Sequence, residues 1–360
     1  MALSKIQTSE MLDTPNLGRR NLIINGAMNV AQRGTSFSPP SDGGYVVDRF
    51  HQYQGGGGVF YYEQSTDAPL GFSNSLKITV NTADSSITSG NYYYMRYEAE
   101  GLDCSRLSLG TSDAQKFTLS FYVKSSLTGT FSGAFQNAAT NRSYVFEYTI
   151  NSANTWERKT VTVDGDTSGT WLTNNSVGLR VAFDLGNGSS LRSSAGSWAS
   201  SGNYGSTGSV ELVGTASATL YITGVQLEVG DTATDFEHRS YGEELSLCHR
   251  YFEKFDYANT QFVDSIGYAN TSSTASCMIS YSTKRAAPTI TLPPTGTSGG
   301  KLAFLTGGGG YPSSIGTFTI QLPSTTSARI YGSSFGGYTI GQSSGLFASG
   351  SCSITIDAEL

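Results

Sequence analysis

The feature that most constrains this chain is period-two alternation, repeated in short runs with no helical stretch between them. Phe117, Leu119, Phe121 and Val123 alternate with Thr118, Ser120 and Tyr122. Tyr144, Phe146, Tyr148 and Ile150 share one face of a second run, with Val145, Glu147 and Thr149 on the other. Val177, Leu179, Val181, Phe183 and Leu185 follow suit before the turn Gly186-Asn187-Gly188, and Leu220, Ile222, Val225 and Leu227 close the series. Each such strand has one apolar face that only another sheet can cover. The pattern predicts an antiparallel β-sandwich over roughly residues 21–237, with Leu22-Ile23-Ile24 as a short first strand ended by Asn25-Gly26. No GxGxxG turn follows any strand, so a nucleotide-binding fold is not indicated.

The period lengthens from about Ser240. Tyr241, Leu245, Cys248, Phe252 and Phe255 fall at spacings of four, three, four and three, which predicts a helix over 241–255 with one apolar stripe. Ser240 is placed to cap its N-terminus, with Glu243 and Glu244 in the first turn and His249, Arg250 and Lys254 toward the other end. A stripe of this kind packs either on the chain's own β-structure or against copies of itself around a symmetry axis. Beyond it, residues 257–360 form a second β-rich region. Its expected strands are Ser276–Tyr281, Thr289–Leu292, Gly316–Leu322, Ala328–Tyr331 and Ser351–Ile356, separated by glycine-heavy loops. So little apolar content predicts a thin core, one that leans on neighbouring copies.

Only 14% of the residues are charged and the net charge is −6, with no basic run, which disfavours nucleic-acid binding. No stretch is apolar enough to span a membrane as a helix, and the first twenty residues lack the apolar core of an export signal. Cys104, Cys248, Cys277 and Cys352 lie far apart and form no CxxC pair, so they are expected reduced. The three histidines, His51, His238 and His249, make no HExxH arrangement, and neither a metal nor any other cofactor is expected. Asp48, Glu98, Glu100, Asp164, Asp166 and Asp184 are the carboxylates a glycoside hydrolase would draw on, but solvated strand ends explain them equally well. No catalytic residue is assigned, and the chain is expected not to be an enzyme. Aromatics carry the stronger signal, with 18 Phe, 21 Tyr and 3 Trp. Their faces suit the C–H faces of sugars, and the abundant Ser, Asn and Gly suit hydroxyls. Tyr61-Tyr62 and Tyr92-Tyr93-Tyr94 must turn some rings outward if they are strands. Trp171, Trp198 and Tyr204 sit in Gly/Ser/Asn-rich loops, and Tyr311, Phe335 and Tyr338 in the distal glycine loops. These six are the candidate glycan contacts.

The run ITGVQLEVGDTATDFEHRSYGEELSLCHRYFEKF (222–255), with NLIINGAMNVAQRGTS (21–36), YVVDRF (45–50) and KRAAPTITLP (284–293), resembles a family of bacteriophage tail-fibre and receptor-binding proteins. The opening segment also resembles the first strand of jelly-roll carbohydrate-binding modules, although Ala27, Met28 and Thr223-Gly224 stand where those modules place the acidic ligands of a structural calcium. The resemblance implies a virion component assembled in host cytoplasm. It implies an all-β chain: a jelly-roll-like antiparallel sandwich (21–237), a helical connector (238–256) and a smaller distal β-sandwich domain (257–360). It further implies a homotrimer with Tyr241, Leu245, Cys248, Phe252 and Phe255 near the axis, and attachment to another tail or baseplate protein through residues 1–20. Contact with host surface glycan is then expected at the distal tip. The readings that stay open are a tail-associated polysaccharide depolymerase and a free carbohydrate-binding module.

Overall fold

The computed structural model describes residues 19–258, 261–263, 266–296, 301–306, 316–348 and 350–360. The chain divides into a first unit ending at Glu244 and a second unit, Leu245–Glu359, with Leu360 grouped with the first. Residues 1–18, most of the expected attachment arm, and Tyr311 lie outside the described residues.

The first unit is built from two six-stranded antiparallel sheets. In spatial order, the first sheet is Ser36–Phe37, Val59–Ser65, Ser75–Thr82, Thr219–Val229, Phe117–Ser125 and Glu157–Val163. The second is Trp198–Ala199, Ser143–Ile150, Gly129–Gln136, Val177–Asp184, Tyr92–Glu100 and Phe50–Gly55. Phe117, Leu119, Phe121 and Val123 from the first sheet meet Phe146, Tyr148, Leu179, Val181 and Phe183 from the second in one core, as alternation requires. Leu220, Ile222, Val225 and Leu227 all reach that core because the register shifts between Thr223 and Gln226. A bulge re-aims the strand by one residue, and Gly224 takes the positive φ it needs, at 61°. This is an all-β, jelly-roll-like antiparallel sandwich.

The segment at 21–28 is not the strand its apolar run predicts. It is a turn-rich segment, buried throughout, that docks on the bulge: Leu22 N–H donates to Leu227 O at 2.8 Å, and Val225 N–H donates to Gly26 O at 2.9 Å. A Cβ on Gly26 would sit 2.1 Å from Val225 O, so the approach requires glycine. Asn25 uses its side chain as a local template, accepting from Val30 N–H and donating to Val30 O and Asp48 O. Asn and Gly side-chain chemistry here competes with ladder formation and wins.

The mid-chain helix is shorter than its stripe predicts. It spans Tyr241–His249, and Ser240 caps it as expected, its Oγ accepting from Glu243 N–H at 3.3 Å. Phe252 and Phe255 are not helical. They lie on the strand Phe252–Tyr257, paired residue for residue with Cys352–Asp357. The continuous stripe is therefore absent: Cys248 and Phe252 are buried, Leu245 and Phe255 are half-buried, and Tyr241 is 59% exposed. Phe255 packs on the second unit's own core. Tyr241, Leu245 and Cys248 lie on the helix, and Phe252 and Phe255 on the strand that follows.

The second unit has a three-stranded sheet, Phe252–Tyr257, Cys352–Asp357 and Thr289–Thr291, and a seven-stranded sheet that includes Ala275–Ser280, Ser327–Ser333, Thr317–Gln321 and Ser343–Ala348. The expected distal strands are present within a residue or two of their predicted limits. The expected thin core is not. Phe304, Ile330, Leu346, Ile354, Ile356 and Phe335 close a core of the unit's own.

Candidate functional site

The pleat that sends Tyr93, Met95 and Tyr97 into the core turns Tyr92, Tyr94, Arg96 and Glu98 to the opposite face of the second sheet. Cross-strand register brings His51 beside Arg96, Tyr53 beside Tyr94, and Arg180 beside Glu98 and Gln136. Glu98 is the hub. Arg180 Nε donates to its Oε1 at 2.6 Å, Arg96 Nη2 lies 3.1 Å from the same oxygen, and His51 Nε2 is 3.8 Å from Oε2. Arg96 also donates to Tyr53 Oη at 2.6 Å. Gln136 donates to Asn203 O, while its buried Oε1 has no hydrogen-bond partner.

Over this polar floor runs a row of stacked rings. Tyr53 stacks on Tyr94 (centroids 4.9 Å apart, planes 22°), and Tyr94 on Tyr204 (4.2 Å, 17°). At one end His51 lies flat on Tyr45 at 4.6 Å, and the Arg96 guanidinium covers Tyr53 at 4.3 Å. Tyr53, Tyr92 and Tyr204 are half-buried and Tyr94 is buried. Burial raises the hydroxyl of Tyr53, and burial together with Tyr204 raises that of Tyr94, so both stay neutral donors near neutral pH. The faces of Tyr53 and Tyr94 are taken up by Arg96 and by the neighbouring rings, so it is the neutral phenol hydroxyls and the fixed charged donors beside them that can hydrogen-bond a polyhydroxylated ligand.

Burial, then the positive charges of Arg96, Arg49 and Arg180, push the His51 imidazole well below its ordinary value of 6.5. The unfolded chain therefore binds a proton below about pH 6.5 that the folded chain refuses. Stability present above that pH is lost as pH falls, by at most about 1.4 kcal/mol per pH unit. Thermal unfolding of His51→Gln should show a smaller loss than the parent between pH 7.5 and 5.5. Parallel loss in both would dissociate His51 from this dependence.

Of the five aromatic candidates among the described residues, only Tyr204 joins this row. Trp171 and Trp198 are brought together, edge to face at 5.4 Å, but as half-buried caps on the end of the core, with indoles donating to Ser168 O and Asp164 O. Phe335 and Tyr338, expected to be exposed, are buried in the second unit. Phe335 packs against Phe304 and Phe318, strands that only the folded sheet brings near the glycine loop. Tyr53, Arg96, Arg180 and Gln136 escaped sequence reasoning, and Tyr94 was named only within the run Tyr92-Tyr93-Tyr94. The available signal was the off-core half of the alternation Tyr92-x-Tyr94-x-Arg96-x-Glu98. The carboxylates are all engaged: Asp48 with Gln32 and Arg33, Glu98 as above, Asp164 with Lys116, Asp166 with Arg142, Asp184 with Ser132 and Ser209, and Glu100 buried with a partner.

Apart from Tyr45 of YVVDRF, which stacks on His51, the contacts of the stretches that carry the family resemblance run largely between those stretches. Arg239 donates to Asn21 O (2.7 Å) and Ile23 O (3.2 Å), and pairs with Glu237 (3.2 Å) and Glu244 (3.3 Å). Glu237 in turn accepts from Asn21 N–H, and Glu244 from Asn25 N–H. In the second unit Lys284 donates to Glu253 (2.6 Å) and His249 O (2.5 Å), while Arg285 Nε donates to Ala358 O (2.6 Å).

The fold and this face together define a two-unit all-β protein whose larger unit is a jelly-roll-like sandwich with a tyrosine-lined polar face. No protein-family model and no curated protein matches the chain. Among solved structures it is similar to the enzymatically active domain of tailspike protein 4 of bacteriophage CBA120, at 15% identity over 59% of this chain and 22% of that one, TM-score 0.30. The match thus spans under a quarter of that structure's length. It is also similar to a family 11 carbohydrate-binding module of Clostridium thermocellum in complex with a mixed-linked tetrasaccharide, at 10% identity over 57% and 99% of the two chains, TM-score 0.28. A third is a putative sugar binding protein of Bacteroides thetaiotaomicron, at 13% identity over 58% and 100%, TM-score 0.32. Overlaps this shallow carry no argument about what this chain does.

Proposed function

We propose that this chain is a structural and adhesive component of a bacteriophage virion, of the tail-fibre kind, that holds a host surface glycan on the tyrosine-lined face of its sandwich. The observation that carries the glycan reading is the stacked row Tyr53–Tyr94–Tyr204 above Arg96, Glu98 and Arg180. The virion reading rests on the sequence motifs. It includes assembly as a homotrimer, docking on another tail or baseplate protein through residues 1–20, and binding without cleavage. We put the contact on the sandwich rather than on residues 257–360, the distal part the sequence favours; in support, Phe335 and Tyr338 pack in the second unit's core, while Tyr311 lies outside the described residues.

A panel of immobilised bacterial surface polysaccharides tests this with the full chain. At least one should be bound, and Tyr53→Ala with Tyr204→Ala should weaken it about ten- to a hundredfold, since each lost ring contact is worth roughly 0.5–1.5 kcal/mol beyond its area. Undiminished binding by the double variant would remove this face from the reading. New reducing ends would make the chain a depolymerase instead. Light scattering should give three times the mass of one chain, and a monomer would sink the fibre assignment.

A further inference from the structure

The second unit carries its charge unevenly. Between Asp264 and Asp357 the sequence has no acidic residue and four basic ones, Lys284, Arg285, Lys301 and Arg329. Lys284 is spent on Glu253, and Arg285 on the carbonyls of Ala358 and Glu359. Arg329 meets no carboxylate among the described residues. Its Nη2 donates to Ser276 Oγ at 3.1 Å, and Ser276 Oγ donates in turn to Asn270 Oδ1 at 3.2 Å. The guanidinium also lies 5.6 Å from the centre of the Tyr331 ring. These contacts hold it in place while Nε and Nη1 stay unbonded and open to solvent.

Strand register shows which way Arg329 points. On Ala275–Ser280, Cys277 and Ile279 are buried in the core, while Met278 between them is 48% exposed on the outer face. Arg329 is directly opposite Met278, and Tyr331 opposite Ser276. From the other side, Tyr268 of the strand Ile266–Ala269 is opposite the same Ser276. Tyr268 and the guanidinium therefore share the outer face and both border Ser276, whose strand lies about 4.8 Å from that of Tyr268. Tyr268 is 56% exposed and has no ring, cation or hydrogen-bond partner among the described residues, so its ring is free to stack. Gln321, opposite Arg329, and Ser343, opposite Tyr268, add an amide and a hydroxyl at the margins. None of the described residues that these strands place on this face is acidic.

We propose that this face of the second unit binds an acidic glycan, with one carboxylate-bearing sugar ring lying on Tyr268 and its carboxylate accepting from the donors of Arg329 that Ser276 leaves free. Charge selects the anion. Arg329 is an unmatched cation on a face without carboxylates, so an acidic ligand supplies the missing partner. The ring selects a sugar over a simple anion, because the C–H face of a pyranose covers the exposed side of Tyr268 and a small acid does not. Met278, Gln321 and Ser343 make the surroundings mixed rather than continuously apolar, which favours a hydroxylated ligand over a docked protein. The proposal rests on the glycan reading above only for the class of ligand. It adds a charge-selected contact on the second unit, separate from the tyrosine row and made by residues other than Phe335 and Tyr338.

Saturation-transfer NMR on the full chain tests it with the methyl glycosides of glucuronic acid, galacturonic acid and N-acetylneuraminic acid. Methyl glucoside, methyl galactoside, acetate and a polyglutamate peptide serve as competitors. At least one acidic glycoside should bind, and none of the competitors should displace it at equal concentration. Arg329→Gln, which keeps a donor for Ser276, and Tyr268→Ala, at an exposed position, should each weaken that binding about tenfold or more. Tyr268→Phe, which keeps the ring, should retain it. Circular dichroism melts verify that the variants fold, and Tyr268→Ala against Tyr268→Phe decides alone if Arg329→Gln does not. No acidic signal, equal displacement by acetate, the peptide or a neutral glycoside, or a signal indifferent to the substitutions overturns the proposal. Polysaccharide binding that Tyr53→Ala with Tyr204→Ala weakens, with no acidic glycoside signal, would sink this site and leave the tyrosine-face reading standing. An acidic glycoside signal lost in Arg329→Gln, with polysaccharide binding undiminished by the tyrosine pair, would sink only the tyrosine-face reading.

Discussion

Arg239→Ala should cost the sandwich about 3–5 kcal/mol, measured by urea denaturation, because it strips one partner from buried ion pairs. Arg239 has a 7% exposed side chain and serves four acceptors: the carboxylates of Glu237 and Glu244, and the carbonyls of Asn21 and Ile23. Its loss leaves two carboxylates and two carbonyls short of a donor, where burial makes that expensive. The segment it holds, 21–25, has no strand ladder of its own and depends on such side-chain bonds. Burial alone raises the Glu237 carboxyl. The Asn21 N–H, Arg239 and the N–H groups of Arg19 and Arg20 more than reverse that and hold it below its ordinary 4.5. The stability linked to it is therefore present above about pH 4.5 and lost as pH falls through the folded value. Arg239→Lys should recover only part of the loss, since a point charge cannot serve four acceptors in a fixed fork. A cost under about 1 kcal/mol for the alanine variant would mean that the pairs are solvated like ordinary surface bridges.

Lys284→Met should cost the second unit a similar amount, about 3–5 kcal/mol by the same argument. Lys284 is wholly buried, and its ammonium lies between Glu253 and the His249 carbonyl. Burial lowers its proton affinity and Glu253 partly restores it, so the charge survives because of its partner. With the lysine gone, Glu253 keeps the Ser282 N–H and hydroxyl as donors, with His249 Nδ1 3.9 Å from its Oε1. The double variant Lys284→Met with Glu253→Met should cost less than the single one, because replacing both buried charges by packed methylenes leaves nothing unpaired. A double variant that costs the sum of its two single changes would rule out the coupling.

These two networks explain what the family-like stretches do physically. TDFEHRSYGEEL and NLIING are legible as unusual because they place Glu, Arg and Asn among apolar neighbours. Nothing in their spacing says that Arg239 reaches back to Asn21. The same holds for HRYFEK and KRAAP, which meet at Glu253 and Lys284.

By itself, the sequence determined the class of fold, because strand alternation is a local property: the pleat forces Phe117, Leu119, Phe121 and Val123 to one side whatever lies opposite. It also determined the start of the helix, since a cap needs only Ser240 and the amides that follow it. The end of the helix was decided elsewhere. Phe252 and Phe255 fit a helical stripe as well as a strand, and it is the pairing with Cys352–Asp357, far along the chain, that made them a strand. The burial of Phe335 and Tyr338 was likewise decided by strands that surround their loop only after folding. The tyrosine row needed the same long reach, for Tyr53, Tyr94 and Tyr204 come from three separate segments. Which rings stay at the surface depends on what the sheets bring over them, and that information lies in contacts between residues distant in sequence.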